Sequence, residues 1–501
     1  MKIKRNIIFN YIGQFYNILI GVVMVPYYLK YLGTEAYGLV GFLALLQSWM
    51  SLLDFGMSPT LSREVAMSDT NQQAKKINFK SLVHSLESLF LLISLVIFIL
   101  VFLFSGWISE KWLKVGSIDV NVVTHCIIIM GLIVGLRFIT SLYNSGLLGA
   151  EHQVWVNNIN IFFNTLRSIG SVFILHYISN DVELFFKYQL AVTAIALFIF
   201  GYKFYNVLNL GRFKLFFSLT VFKPIIPFAT GIAYTAGIWI VLTQSDKLFL
   251  SNILPLKEYG YFSIVIIIVN TVQQLIEPIS QAIQPKMTRL ISHGEINEML
   301  TVYKKASQLM AIIMFSIVGV ISAFSYEIIY FWTNNIQLAK WGKWVLFWYV
   351  IGNGVLAISG LQYMLQFAYG KIKLHVQYNT FFAIISLPII MFTAYHYSAL
   401  GVAILWFILR MVSFIIWVPI IHHKFAPGLH KKWLVEDILP IFVSSVIYLF
   451  FMKSLNLNFD SYGKLFTFIT LIIIGVGMIL TNCIASTEGR KLIKGYILKN
   501  D

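Results

Sequence analysis

Amide side chains recur at helical spacing inside stretches of the chain that are otherwise apolar. The first such stretch carries Asn6, Asn10, Gln14 and Asn17, spaced four, four and three residues apart. Residues with this spacing lie on one face of a helix. Because lipid offers an amide no hydrogen-bond partner, this face must contact either water or the polar groups of a neighbouring helix.

Four further apolar stretches show the same arrangement. The longest stripe consists of Asn157, Asn160, Asn164, Arg167 and Ser171. The other stripes are Gln47, Ser51 and Asp54; Arg137, Ser141 and Asn144; and Asn270, Gln273 or Gln274, Glu277, Gln281 and Gln284. Amide bonds between helices, each contributing ~1 kcal/mol, account for any single residue. Five stripes that include arginine and carboxylate indicate a water-filled lumen that these side chains line.

Three arginines, Arg137, Arg167 and Arg410, fall at membrane depth. Placing each one there costs at least ~2.5–3.5 kcal/mol on insertion scales, so a compensating interaction is expected. An ion pair is one candidate, and its acidic partners would be Asp54, Glu87 or Glu277. A bound anion is the other, since guanidinium groups hold phosphate and carboxylate bidentately. We predict the anion for Arg167, whereas both alternatives stay open for Arg410, which shares a face with Trp406.

Acidic residues within the spans are candidates for coupling or gating. Glu277, among amides in mid-span, is the leading candidate for a proton- or ion-linked switch, and Asp54 is another. Asp246 and Lys247 form either a structural or gating ion pair or a substrate contact. Since adjacent residues point about 100° apart on a helix, we expect these two to bond different neighbours. The two cysteines and ten histidines show no metal-ligand or redox spacing, so no metal or cofactor is expected.

These side chains share a lumen only if membrane helices position them. The chain has 501 residues, of which 58% are hydrophobic and 12% charged, and its mean hydropathy is +0.78. Soluble proteins carry about 25% charged residues, so the composition predicts an all-α polytopic membrane protein. Apolar length predicts fourteen spans, near residues 6–29, 36–56, 81–105, 121–147, 154–178, 184–205, 224–247, 258–284, 306–326, 341–367, 376–396, 398–421, 434–452 and 464–486.

The net charge of +16 orients these spans. Most of the basic residues fall in the two terminal segments and in the loops that follow even-numbered spans. By the positive-inside rule, both termini are therefore cytoplasmic. The same charge attracts anionic lipids of the inner leaflet, and with the surplus explained by topology no nucleic-acid partner is expected.

A short internal repeat suggests how the spans are grouped. Leu32–Gly38 after the first span aligns with Leu254–Gly260 after the seventh, and Leu, Tyr and Gly coincide. The match predicts two six-helix bundles in the same orientation, a parallel repeat with a pathway between the halves. We place the first bundle at 1–205, a cytoplasmic linker at 206–223, the second bundle at 224–421, two additional helices within 434–486 and a cytoplasmic tail at 487–501.

Three segments carry a family resemblance. They are Tyr31–Gly41, Leu53–Ala66, and Ser245–Ser251 followed by Glu258–Ser263; Gly149–Val154 matches more loosely. In these segments the chain resembles the bacterial polysaccharide flippases of the Wzx type, which belong to the same superfamily as the MATE exporters and the lipid II flippases. The resemblance covers most of the chain, although the last third contains no diagnostic segment.

The resemblance implies a MATE-like fold in the bacterial inner membrane and a transport activity, not an enzymatic one. The implied substrate is an undecaprenyl-pyrophosphate-linked oligosaccharide, moved to the outer leaflet for O-antigen or capsule synthesis. Membrane lipids, and a polysaccharide polymerase and chain-length regulator, are the implied partners. In this mechanism the glycan headgroup enters between the bundles, the lipid tail stays in the membrane, and the bundles rock to open outward.

Two alternatives have distinct sequence signatures. A MATE-type exporter of cationic drugs should line its cavity with carboxylates, whereas the deepest charges here include three arginines. A membrane glycan polymerase or ligase usually needs a large outer loop, and the predicted outer loops are short. Nucleotide-driven pumps and kinases are disfavoured because the sequence contains no glycine-rich phosphate-binding motif ending in Gly-Lys-Ser or Gly-Lys-Thr.

Overall fold

The computed structural model describes residues 2–67, 73–457, 459 and 463–491. Within these ranges the backbone is helical apart from turns and short connections, and no strand is present. Eleven helical stretches of the described chain are long and apolar enough to cross a membrane. The prediction of an all-α, multi-pass membrane protein is therefore confirmed.

The eleven apolar stretches do not correspond one to one with the fourteen predicted spans. Two of the eleven apolar stretches contain a residue with non-helical dihedral angles, Gly33 in the first and Ser398 in the ninth. The helix Gln153–Tyr177, which carries the longest amide stripe, is not one of the eleven. The count of fourteen remains a prediction.

The chain divides into two compact units, Met1–Gly260 and Tyr261–Asp501. The described helices of the first unit are α1 (Lys2–Met50), α2 (Met57–Met67), α3 (Gln73–Trp107), α4 (Val120–Gly149), α5 (Gln153–Tyr177), α6 (Val182–Leu208), α7 (Leu219–Phe222) and α8 (Ile226–Ile253), and α9 (Leu256–Gln274) begins in it. Within this unit α4 packs against α3 and α6, and α5 packs against α1. The first unit includes α8, which the sequence assigned to the second bundle; the predicted bundle boundaries remain predictions.

The second unit contains most of α9 and the helices that follow it. These are α10 (Glu277–Ser292), α11 (Ile296–Ala323), α12 (Ser325–Thr333), α13 (Ile336–Ala368), α14 (Lys373–Val412), α15 (Val418–Phe425), α16 (Leu429–Lys432), α17 (Leu439–Ser454) and α18 (Lys464–Ala485). The two C-terminal helices pack on α11. Asn482 of α18 is buried there, donating to Ser316 Oγ at 2.9 Å and accepting from Ser445 Oγ at 2.9 Å. This buried polar contact fixes both helices to the unit.

The two segments of the sequence repeat contact each other inside the first unit. A Cβ atom on Gly38 would collide with the backbone carbonyl of Leu256, and a Cβ on Gly260 would collide with that of Thr34. Thr34 and Leu256 occupy equivalent positions in the repeat, as do the two glycines. The contact is therefore reciprocal, as expected where two repeats meet about a local two-fold axis, and glycine is required at both positions.

A loop between α3 and α4 reinforces this contact. Lys114 forms a parallel bridge with Pro255: its carbonyl accepts from Leu256 N at 2.8 Å, and its Nζ donates to Ile253 O at 2.8 Å. Glu35 accepts from the amide nitrogen of Gly116 at 2.6 Å. We call the three segments 34–38, 112–117 and 251–260 the clasp.

The clasp is also held by side chains of its second and third segments. Trp112 Nε1 donates to Ser251 Oγ at 2.9 Å, and Asn252 Nδ2 donates to Trp112 O at 3.1 Å. In the predicted topology all three segments lie in outer loops or at the outer ends of the adjacent spans.

Candidate polar site in the first unit

The stripe on α5 faces α1 and forms a chain of hydrogen bonds. Asn164 Nδ2 donates to Asn17 Oδ1 at 2.7 Å, and Arg167 Nη1 donates to Asn164 Oδ1 at 3.2 Å. The amide of Asn164 thus joins α1 to the guanidinium and uses both of its polar atoms. Helical spacing on α5 places these groups on one face, and the packing of α5 on α1 brings them to Asn17.

A cavity of about 300 Å³ lies beside this chain of hydrogen bonds, and we call it the Arg167 cavity. Its lining mixes amides, hydroxyls, two arginines and aromatic rings, and consists of Asn17, Ile20, Gly21, Tyr28, Val40, Leu43, Ala44, Gln47, Arg137, Asn164, Arg167, Ser168, Phe185 and Gln189. Asn17, Asn164, Arg167 and Arg137 were all predicted to line a lumen, and the structure brings these four together.

A second cavity, of about 330 Å³, adjoins the first, and we call it the Asp54 cavity. Its lining residues are Gln47, Met50, Ser51, Asp54, Ser58, Pro59, Val134, Arg137, Phe138, Ser141 and Ser145. Gln47 and Arg137 line both cavities, and Arg137 Nη1 donates to Gln47 Oε1 at 2.7 Å. Four of the five predicted stripes therefore contribute to two adjoining cavities of the first unit.

Among the described residues, Arg137 and Arg167 have no ion-pair partner. Within the described chain no carboxylate oxygen lies within 4.0 Å of Arg137 or Arg167. The Nε atom of each is buried and has no hydrogen-bond partner among the described residues. Because buried polar atoms are normally satisfied, these two donors favour a ligand that supplies acceptors.

Two of the carboxylates proposed as ion-pair partners are engaged elsewhere. Asp54 Oδ1 accepts from Ser58 N at 3.1 Å and from Ser58 Oγ at 2.6 Å, which caps the start of α2. Glu87 accepts from Tyr143 and Tyr205. The geometry around Arg137 and Arg167 therefore agrees with the bound-anion alternative.

The other predicted lumen residues of the first unit that the structure describes, Gln14, Asn157 and Asn160, line neither of the two cavities. Asn157 packs against Gly13, and Gln14 is half-buried. Asn160 is half-buried and lines neither of the two cavities. The side chain of Asn10 lies outside the described residues.

In the second unit the predicted stripe of the eighth span is divided. The helix stops after Gln274 and restarts at Glu277, so Asn270, Gln273 and Gln274 lie on α9, with Asn270 exposed and the two glutamines half-buried. Glu277 is exposed in the first turn of α10. Gln281 lines a cavity of about 550 Å³ together with Gln284, Pro285, Thr288, Arg289, Ser292 and Phe367.

Arg410 is buried among aromatic rings of the second unit. Its guanidinium carbon lies 4.1 Å from the ring centre of Trp406 and 5.6 Å from that of Phe382. Cation–π contacts of this kind offset part of the cost of burying the charge. The role of Arg410 in a lumen remains a prediction.

Comparison with known proteins places the chain in a family. A family model described as "Polysaccharide biosynthesis protein" matches residues 3–291, more than half of the chain. The chain belongs to this polysaccharide biosynthesis family. No curated protein sequence matches it significantly.

Solved structures with the same fold are only distantly related to this family member. A structure of lipid II flippase MurJ in an inward closed conformation is 18% identical, with a TM-score of 0.73, and the match covers 97% of this chain and 100% of that one. An inward-facing MATE family multidrug resistance transporter of the MOP superfamily is 12% identical, with a TM-score of 0.63, covering 82% of this chain and 96% of that one. The MATE multidrug transporter DinF-BH is 15% identical, with a TM-score of 0.60, covering 84% and 95%. These matches show that the family member has a MurJ- and MATE-like fold.

One expectation about charged neighbours in the family member is wrong. Lys247 Nζ lies 3.6 Å from Asp246 Oδ1, so the two adjacent residues do contact each other. The long lysine side chain folds back along α8, where Nζ also donates to the carbonyl of Thr243. Asp246 is buried. The expectation considered only the 100° angle between adjacent Cβ atoms. The flexible lysine side chain is long enough to span that angle.

Gln189 is a cavity residue that the sequence reasoning missed. From α6 it donates to Arg167 O at 3.0 Å and to Ser171 Oγ at 2.8 Å, and it lines the Arg167 cavity. It is a single amide in its span and belongs to no stripe, so spacing gave no signal. Its identity as a lone glutamine inside an apolar segment was the available signal.

Proposed function

We propose that this protein is a flippase that moves an undecaprenyl-pyrophosphate-linked oligosaccharide repeat unit from the cytoplasmic to the outer leaflet by alternating access. The product would serve a surface polysaccharide such as O-antigen or capsule. The observation that carries the proposal is the pair Arg137 and Arg167, which line adjoining polar cavities with no carboxylate oxygen within 4.0 Å in the described chain. Two cations without neutralising partners favour an anionic passenger.

Different lining residues suit different parts of such a headgroup. Phosphate oxygens accept from the two guanidinium groups, and sugar hydroxyls exchange hydrogen bonds with the amides of Asn17, Gln47 and Gln189. Each cavity lies near the lower end of the ~300–1,000 Å³ range of small-molecule sites. That size suits the pyrophosphate and the first sugar better than a whole repeat unit.

Family and fold support the same proposal. The family is described by its part in polysaccharide biosynthesis, and one protein with the same fold is named as a lipid II flippase. A flippase needs only to shelter the polar headgroup, because the isoprenoid tail remains in the hydrocarbon core. We place the protein in the bacterial inner membrane with both termini cytoplasmic, in contact with anionic lipids.

A MATE-type exporter of cationic drugs has the same fold but needs different chemistry in its cavity. Asp54 is the one carboxylate among the residues that line the Arg167 and Asp54 cavities, and two hydrogen bonds from Ser58 already occupy its Oδ1. A cationic drug in either cavity would also meet Arg137 at close range. The charge balance therefore disfavours this alternative.

The test is export of surface glycan in a strain that lacks the chromosomal gene and carries a plasmid copy. A charged hydrogen bond is worth ~1.5–3 kcal/mol, so Arg137→Ala or Arg167→Ala should lower export by roughly 10- to 100-fold. Arg167→Lys should retain part of the activity because it keeps the charge.

The matched control is Arg63→Ala, since Arg63 pairs with Glu64 at 3.5 Å, stacks on Phe228 and lines neither cavity. Export should stay near normal in this variant. Normal export in both cavity variants would contradict the proposal. Loss of resistance to cationic drugs, with glycan export intact, would identify an exporter instead.

A further inference from the structure

A buried acidic cluster lies in the first unit, outside both cavities. Glu87 on α3 is fully buried. Its Oε1 accepts from Tyr143 on α4 at 2.5 Å, and its Oε2 accepts from Tyr205 on α6. His84 Nδ1, one turn earlier on α3, lies 3.5 Å from Oε2. Three ionisable side chains, one from each of three helices, thus meet at the carboxylate of Glu87.

His84 is the one neighbouring side chain that can compensate the negative charge of Glu87 within the described chain. Within the described chain no lysine or arginine nitrogen lies within 4.0 Å of Glu87, and the histidine is its one potential cation. Burying a carboxylate without a cation costs several kcal/mol even where hydrogen bonds are made. One proton, held by either His84 or Glu87, removes that cost, so the cluster is built to bind a proton.

The charged groups on the surrounding elements are either exposed or bound to other residues: Lys80 on α3 and Arg212 and Lys214 in the segment after α6 are exposed, and Arg137 on α4 donates to Gln47 Oε1. On α2, Arg63 and Glu64 pair with each other, and on α6, Lys203 lies over the ring of Trp155. The segment after α6 contributes neutral contacts: Phe216 N donates to Ser88 Oγ at 2.9 Å, and Ser218 N donates to Ser85 Oγ at 3.2 Å. The charge state of Glu87 is therefore governed within the cluster.

A proton can reach the cluster through its histidine. The side chain of His84 is 10% exposed, whereas that of Glu87 is 0% exposed. A hydronium ion from the solvent gives a proton to Nε2 of His84 and is left as water. Once the imidazole closes the 3.5 Å gap between Nδ1 and Oε2 of Glu87, the Nδ1–H proton passes to Oε2, which breaks the N–H bond and forms an O–H bond. The histidine is left neutral with its proton on Nε2.

Because the cluster lies at the end of α6, proton binding affects how that helix end and the following linker are held. Tyr205 lies in the last turn of α6, and the segment that follows is tied to Ser85 and Ser88 on either side of Glu87. A protonated carboxyl group is a weaker acceptor than a carboxylate. Protonation of Oε2 therefore loosens Tyr205 and, with it, the end of α6 and the start of the 206–223 linker.

We propose that Glu87, with His84, Tyr143 and Tyr205, is a proton-binding site that couples the movement of the 206–223 linker to the transport cycle. The proposal rests on the flippase function proposed above and adds the identity of the coupling ion. It places that ion at Glu87 rather than at the exposed Glu277.

The test begins with the purified full-length protein and needs no substrate. Infrared difference spectra between acidic and neutral pH should contain the carbonyl band of a protonated carboxylic acid in an apolar site. Glu87→Gln should remove this band, and Glu277→Gln, the matched control, should leave it in place. His84→Gln should shift the pH at which the band appears, which keeps the test decisive if Glu87→Gln does not fold.

Export in cells then tests coupling. Wild-type export should vary with external pH and fall at least severalfold when a protonophore collapses the proton gradient, whereas Glu87→Gln should export at a rate that responds to neither. A band that survives Glu87→Gln, or an unchanged pH and protonophore response in that variant, overturns the proposal. If the protein exports no glycan at all, the flippase function fails while the infrared titration still reports on the site.

Discussion

At the scale of residues, the organising contact is the amide of Asn164, which holds Asn17 on one side and the guanidinium of Arg167 on the other. An arginine aimed by a fixed acceptor loses less freedom when it binds an anion than an untethered one does. Asn164 therefore both joins α5 to α1 and orients the guanidinium of Arg167. For this residue, lining a lumen and binding a neighbouring helix are compatible roles.

Removing that amide should weaken anion binding without removing the charge. For Asn164→Leu we expect the dissociation constant for inorganic pyrophosphate, measured by calorimetry on the purified protein, to rise about tenfold, since a charge-assisted hydrogen bond is worth ~1.5–3 kcal/mol. Asn160→Leu is the matched control, on the same helix but away from both cavities. Equal weakening by both substitutions would show that the effect comes from packing of α5.

At the scale of elements, the close approach of α1 and α9 depends on the two repeat glycines. Gly38→Ala should destabilise the protein by ~1–3 kcal/mol, because the new methyl group meets the backbone carbonyl of Leu256, which cannot move aside as a side chain can. The measurement is thermal unfolding in detergent. Gly21→Ala on the same helix has no heavy atom within 4 Å of the new Cβ and should be neutral or slightly stabilising. Equal stability of the two variants would contradict the reciprocal contact.

The sequence predicted much at this scale because apolar length and amide spacing are local properties. It predicted stripes that lie on α1, α4 and α5, and residues from these stripes line the two cavities that share Arg137. That the stripes line a lumen stays a prediction. The sequence prediction treated residues 258–284 as one span, and they do lie in one of the eleven apolar stretches, Leu256–Ser292, but the helix is interrupted there between Gln274 and Glu277. Pro278, directly after Glu277, was the missed signal, since proline favours the first turn of a new helix. Tertiary packing decides which stripes come together. For that reason, Gln189 and the Glu87 cluster could not be found from the spacing of polar residues along single helices.

At the scale of the whole molecule, the proposed alternating access requires the outer ends of the helices to separate, and in the predicted topology the clasp is a contact that must then open. Lys114 and Pro255 are bridge partners, and such partners lie about 5 Å apart, within the Cα range of a disulfide. In a background in which Cys126 and Cys483 are serine, a Lys114→Cys and Pro255→Cys variant should oxidise readily, and oxidation should stop glycan export.

Reduction should restore export, which separates a locked protein from a damaged one. The control is a Ser109→Cys and Thr124→Cys variant, because these hydroxyl groups are 2.6 Å apart at the junction of α3 and α4 and neither residue belongs to the clasp. Oxidation of this second pair should leave export unchanged. If the clasp variant cross-links fully and still exports glycan, the outer ends do not need to part, and a rocking motion cannot be the mechanism.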